Sequence, residues 1–326
     1  LKNPFHNLYH PEIFQGHLRK KKYFEGWYVK LVSPEEEHAL AVIPGVALYD
    51  QTDRHAFIQV IDGIRQETSY HRFSLDTFSA DRNEFNVRIG ANTFSRHGVT
   101  LDLPELSGQI QFQDTTPLAS SLFNPGIMGW YSFVPTMECY HGIVSLHHSL
   151  HGKTSGLAGE IDWTGGIGYM EKDWGISFPR CWIWMHTNHF HNDASPASLM
   201  ASVAHIPWKG NYFPGFIVVL YVHGKEYRFA TYNGSRMKCR VGDTHVQLQF
   251  KRGSLYLEIN AERGPTATLR SPITGRMTGK VNESLQAIIQ VVLKKGDDVL
   301  WEATGTSAGL EVAGDTGILE TEDWRK

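Results

Sequence analysis

The 326 residues give length for two domains of about 150 residues, each large enough to bury a core of its own. With 31 basic and 34 acidic residues and a formal net charge of −3, the chain has no global field to attract nucleic acid, so the expected partner is an uncharged small molecule. Aromatic residues make up 12% of the chain, with nine Trp and 17 Phe; this is more than two ordinary cores need and points to ring-lined pockets.

The N-terminal stretch is polar and ends in the basic run Arg19-Lys20-Lys21-Lys22, a solvated segment suited to peripheral contact with an anionic membrane. Tyr23-Phe24-Glu25-Gly26-Trp27-Tyr28 follows: an aromatic, an apolar residue, a carboxylate, then Trp. Residues 39–43, 56–60 and 109–113 alternate with the period of two expected of strands. Residues 116–135, with Pro117, Pro125, Gly126, Gly129 and Pro135, read as a long loop covering a pocket mouth. Thr164-Gly165-Gly166 marks the expected boundary between one barrel over 1–165 and a second over 166–326. Just beyond it, Tyr169-Met170-Glu171-Lys172-Asp173-Trp174 repeats the aromatic-carboxylate phrase, as if each copy opened one of two similar halves.

The second half is a string of hairpins. Residues 216–222 pair across His223-Gly224-Lys225 with 226–230, and 245–250, 254–259 and 285–291 alternate in the same way. No convincing amphipathic helix longer than a few turns is found. The chain therefore reads as all-β, with antiparallel strands closing into up-and-down barrels that remove free edges and enclose an apolar ligand. Cys139, Cys181 and Cys239 are odd in number, far apart and without a CxxC pair, which fits a reducing compartment rather than a disulfide framework or thiolate zinc. No run of about 18 apolar residues occurs, and residues 1–22 are too polar for a secretory signal; a soluble, cytoplasmic chain, at most peripheral to a membrane, is expected.

Residues 179–190 form the most specific stretch. On a strand, Trp182, Trp184, His186, Asn188 and Phe190 share one face, and Cys181, Ile183, Met185 and Thr187 the other. Two indoles, an imidazole and an amide on one face suit a binding wall, though indoles packed between two halves with satisfied polar tips would look the same. The histidine groups 147, 148, 151 and 186, 189, 191 each break strand parity, so neither offers a three-ligand facial set and no metal site is expected. Gly165-Gly166-Ile167-Gly168 lacks the helix and Lys-Ser/Thr of a phosphate cradle.

Several of these phrases together resemble the tocopherol cyclase family: residues 23–30, Trp130-Tyr131-Ser132-Phe133-Val134-Pro135, Glu171 to Arg180 followed by Trp182, Trp184 and Asn188, Leu269-Arg270-Ser271-Pro272, and Ser307 to Gly314. Residues 47–105 match only loosely, and His186-Thr187 departs from the plant pattern. The resemblance implies a pair of lipocalin-like β-barrels and closure of a chromanol ring on a prenylated hydroquinone.

Such ring closure needs a proton delivered to a trisubstituted alkene, a tertiary cation held briefly, and attack by the phenol oxygen, with no cofactor. The protein must supply an acid in a dry pocket and ring faces for the cation. Glu171 and Asp173, at i and i+2, point to one face of a strand, where like charge raises one pKa; Asp173, beside Trp174, is the expected acid, with Glu171 its partner and Glu25 the counterpart in the first half. A simple ion pair to Lys172, Arg180 or Lys30 is the competing assignment. His186 is the expected base and Asn188 the orienting amide, with Trp27, Tyr28, Trp174, Trp182 and Trp184 as binding rings. A hydratase acting on an isoprenoid alkene and a non-catalytic prenyl-lipid carrier are the alternatives.

Overall fold

The structure is a computed structural model that describes residues 6–156, 159–191 and 196–325. It is built almost wholly of antiparallel strands in two twelve-stranded sheets. The first runs from Glu67–Phe73 through Arg54–Asp62, Ala39–Leu48 and Tyr23–Val32 to Ile167–Gly175. It continues through Cys139–Gly156 and Leu106–Thr116 to the short strands between Phe78 and Leu103. The second runs from Lys225–Ala230 through Asn211–Val222, Ser198–Trp208, Trp182–Thr187, Asp298–Ala313 and Arg276–Lys295 to Leu255–Glu262, His245–Arg252, Arg236–Val241 and Thr321–Arg325. The hairpin read from the sequence is present, with Val222 opposite Lys225.

Each sheet curls around its own apolar interior, as the all-β, two-barrel expectation requires. Trp27, Leu31, Phe94 and Ile110 fill the first, and Ile183, Met185, Phe229 and Phe250 the second. A third apolar layer lies between them, where Tyr28, Val32, Tyr169, Trp184, Met200 and Val219 join the outer walls of the two barrels. The strands at this seam are buried on both faces, which is unusual for an antiparallel sheet with one wet side; nine of the ten residues in Tyr23–Val32 are buried. That is why this strand reads as a continuous apolar run with single polar residues set into it.

The expected boundary at 165/166 falls inside the first sheet. Ile167–Gly175 pairs with both Tyr23–Val32 and Cys139–Gly156, so the change of sheet comes after Gly175. Thr164-Gly165-Gly166 is a turn between two short stretches that pair in succession with the one strand Cys139–Gly156, with Gly165 at φ +89° and its N–H donated to Leu150 O at 3.0 Å. The two aromatic-carboxylate phrases therefore do not open equivalent barrels. They lie side by side in one sheet, Glu25 opposite Trp174 and Tyr28 opposite Glu171.

Inside the first barrel this pairing is pinned by charge. Glu25 and Lys172 are both fully buried and form an ion pair. Glu25 also accepts hydrogen bonds from Gln15 N at 2.7 Å, Gly16 N at 2.9 Å and Tyr23 Oη at 2.5 Å. Lys172 donates to Ile13 O and lies 4.6 Å from the Trp27 ring centroid. Removing one partner strands a buried charge, so Lys172→Met is expected to destabilise the protein by about 3–5 kcal/mol in urea unfolding. The double change with Glu25→Gln should recover much of that loss.

Candidate active site

A cavity with room for about 190 Å³ opens between the barrels. Phe24, Tyr28 and Phe57 line it from the first barrel, and Trp182, Trp184 and Phe216 from the second. Met128 and Tyr131, from the Pro/Gly-rich loop over 116–135, close over it as the sequence suggests. The loop is tied across to the second barrel: Ala119 N donates to Glu226 Oε1 at 2.6 Å and Tyr232 Oη to Ile127 O at 2.9 Å.

On the first barrel's wall, Glu171 and Asp173 share the cavity face of Ile167–Gly175, as period two demands. Between them sits His141, the cross-strand partner of Asp173. Its Nδ1 lies 2.9 Å from Asp173 Oδ1, and its Nε2 makes an ion-pair contact with Glu171 Oε2 at 3.3 Å. Burial works against charge on this ring, but Glu171 and then Asp173 outweigh it and raise the His141 pKa well above the usual value. The like-charge repulsion expected between the two acids is thus answered by an imidazolium. Glu171 Oε2 further accepts Tyr169 Oη at 2.5 Å and Trp184 Nε1 at 3.1 Å. Gly309 lets that indole lie close, since a Cβ there would stand 2.7 Å from Trp184 Cζ3.

The second barrel's wall carries acids of the opposite kind. Glu283 and Glu311 are cross-strand partners on Arg276–Lys295 and Asp298–Ala313. Glu283 is 1% exposed, accepts a hydrogen bond from Tyr28 Oη, and has no partner for its Oε2. Burial, reinforced by Glu311, raises its pKa well above the carboxylate range. Glu311 is half-buried at the cavity and accepts Trp182 Nε1 at 2.6 Å. Burial pushes its pKa up to about 8; the Trp182 hydrogen bond opposes this, while Glu171 and Asp173 add to it. At neutral pH the cavity therefore holds protonated carboxyls on one wall and an imidazolium between two acids on the other.

Among the described residues, His141, Glu171 and Asp173 form the one group whose donor atoms lie within 4.8 Å of one another. Each ring nitrogen faces a different carboxylate, an arrangement that serves a protonated imidazole better than a metal ion.

Tyr28, Glu171, Asp173, Trp182 and Trp184 all line the cavity. Glu25, Trp27 and Trp174 do not, because alternation turns them to the interior of the first barrel; there Glu25 is bound to Lys172, and Trp174 stacks on Tyr140 at 5.5 Å. His186 shares the Trp184 face but lies off the cavity, fully buried and stacked 3.5 Å from the Tyr169 ring. Burial and the nearby Lys30 hold its pKa well below the usual value. Asn188 donates to Gly168 O at 3.0 Å and Leu146 O at 3.3 Å, a backbone brace rather than a substrate contact. The sequence reading passed over His141, Glu283 and Glu311. Their signal was a lone ionisable residue whose i−2 and i+2 neighbours, on the same strand face, carry no charge: Cys139 and Ile143 about His141, Val281 and Leu285 about Glu283, Gly309 and Ala313 about Glu311.

The sequence model of the tocopherol cyclase-like family matches residues 119–314, and the chain belongs to that family. A probable chloroplastic tocopherol cyclase of Oryza sativa subsp. japonica is 24% identical over 204 residues, covering 57% of this chain and 42% of the rice protein. Among solved structures, CghA with Sch210972 aligns at TM-score 0.58 and 12% identity, covering 90% of this chain and 88% of CghA. The AttH candidate of Nitrosomonas europaea aligns at 0.56 and 13%, covering 94% and 96%. At such identities these two likenesses speak for the fold.

The raised pKa of Glu311 has a stability consequence. An acid whose folded pKa lies above its unfolded value withdraws stability as pH rises from the unfolded value of 4.5 to about 8. Glu311→Gln keeps the acceptor for Trp182 and escapes this loss. Its Tm should exceed that of the wild type at pH 8, with the gain shrinking toward pH 4.

Proposed function

We propose that this chain is a cyclase acting on a prenylated hydroquinone, with Glu311 as proton donor and Asp173 as proton acceptor. The observation that carries this reading is the placement of Glu311, held by the Trp182 indole, on a largely apolar cavity opposite the Asp173–His141 pair; burial pushes the Glu311 pKa up to about 8. A general acid works best when its pKa lies near the working pH. The acid role expected for Asp173 thus passes to Glu311.

Glu311 delivers its proton to the less substituted alkene carbon, leaving a tertiary cation. The faces of Trp182 and Trp184 and the carboxylates of Glu171 and Asp173, which line the same cavity, stabilise that charge. The phenol oxygen then attacks, a C–O bond forms, and the phenolic proton passes to Asp173. The product has the mass of the substrate. Incubation with a prenylated hydroquinone tests this by mass spectrometry: an isomeric chromanol is expected. A product heavier by one water would make the chain a hydratase, and binding without turnover a carrier. Glu311→Gln and Asp173→Asn should each slow turnover by about 100-fold or more; near wild-type rates in both would remove the assignment.

Substrates of this class reside in lipid, and the loop over the cavity is suited to meeting one. Leu122 and Phe123 are 72% and 74% exposed, in the same loop whose Met128 and Tyr131 line the cavity. Changing both to Asp should weaken co-sedimentation with phosphatidylcholine vesicles while leaving turnover of a short-chain, soluble substrate unchanged.

A further inference from the structure

Two glycines stand side by side on neighbouring strands at the cavity wall, Gly26 lining it and Gly45 beneath the Phe57 ring, and they do so for different reasons. Gly26 and Gly45 are cross-strand partners on Tyr23–Val32 and Ala39–Leu48. Neither has a positive φ, so the backbone requires glycine at neither position. At Gly45 packing requires it: a Cβ would stand 2.5 Å from Phe57 Cζ and 2.6 Å from Glu25 O. At Gly26 packing does not, since the nearest atoms to a Cβ would be Pro44 O at 3.6 Å, Ile43 Cγ2 at 3.7 Å and Phe57 Cζ at 3.8 Å, all ordinary contacts. Glycine inside a strand gives up side-chain packing and adds entropy to the unfolded chain. A residue kept at such a disadvantage, with neither conformation nor space demanding it, marks a place where something else must approach the backbone.

The register shows what surrounds that gap. Phe57, Gly45, Gly26, Asp173 and His141 form one cross-strand row, each opposite the next. Phe57 folds its ring over Gly45, Asp173 and His141 pair at the other end, and Gly26 is the empty position between. Phe24 and Tyr28, two residues before and after Gly26 on the same strand face, flank the gap and line the cavity with it. The result is a slot floored by the Gly26 backbone, walled by three aromatic rings, and ended by a carboxylate.

We infer that this slot is the subsite for the flat, hydroxyl-bearing ring of the substrate, with its hydroxyl on Asp173 and the prenyl chain directed toward Trp182 and Trp184. The inference rests on the proposed reading of the cavity as a prenyl-hydroquinone site and assigns its two ends.

Binding measurements on Gly26→Val and Gly26→Ala test it with two separate probes, trimethylhydroquinone for the ring end and farnesol for the chain end. Valine suits a strand, so thermal unfolding should show both variants at least as stable as the wild type. Gly26→Val should weaken trimethylhydroquinone binding by about tenfold or more and leave farnesol binding within about twofold, with Gly26→Ala between. Unchanged ring binding in Gly26→Val, equal loss of both probes, or no wild-type affinity for trimethylhydroquinone would each overturn the slot. If ring binding follows position 26 but no prenylated hydroquinone is turned over, the subsite stands and the cyclase reading fails. If the wild type cyclises and Gly26→Val keeps its KM, the reverse holds.

Discussion

The antiparallel pairing of Tyr23–Val32 with Ile167–Gly175 is the constraint on which the rest of the molecule depends. These two strands are walls of the first barrel and, on their outer side, half of the seam with the second. Because side chains alternate, each strand has two separate tasks. The inward residues Glu25, Trp27, Lys172 and Trp174 make a buried ion pair between indole rings. The outward residues Gly26, Tyr28, Glu171 and Asp173 face the cavity. A slip of one residue in this pairing would put the structural charges into the cavity and the chemistry into the barrel.

The cavity separates two protonation states by environment. Glu171 and Asp173 have a buried histidine between them, and contact with the two acids favours the charged form of that imidazole. Among the described residues, the hydrogen-bond donors to Glu283 and Glu311 are neutral, the Tyr28 phenol and the Trp182 indole, and the two acids face each other across a strand pair. Burial then favours the neutral acid. The proposed acid and base thus stand on opposite barrels and meet only where the barrels do. Their carboxyl neighbours are tied across that seam, Glu283 by Tyr28 and Glu171 by Trp184, so docking of the barrels brings the two walls of the cavity into register.

This arrangement carries a stability penalty. A carboxyl held neutral near pH 7 and a glycine left bare in a strand both weaken the fold relative to simpler choices. Both lie on the cavity, whereas the comparable liabilities elsewhere are compensated: the Glu25–Lys172 pair by four further hydrogen bonds, and Gly45 by close packing of Phe57.

Local pattern alone determined a good deal. The period of two fixed the all-β class, the Gly-Lys hairpin, and the common face of Glu171 and Asp173 with that of Trp182 and Trp184, because alternation needs only neighbouring residues. The long Pro/Gly loop was legible for the same reason, and the motif phrases pointed to the family. What the period cannot say is which face is inside, how far along a strand a cavity extends, or which strand lies alongside. Glu25 and Trp27 therefore fell on the wrong face, and His186 and Asn188 on the right face but beyond the cavity. The aromatic-carboxylate phrase looked like a repeat of halves because its two copies are far apart in sequence; only the fold made them neighbours. The pKa of Glu311 and the charge on His141 were set by residues from distant strands, so the chemistry of this site came from the tertiary structure.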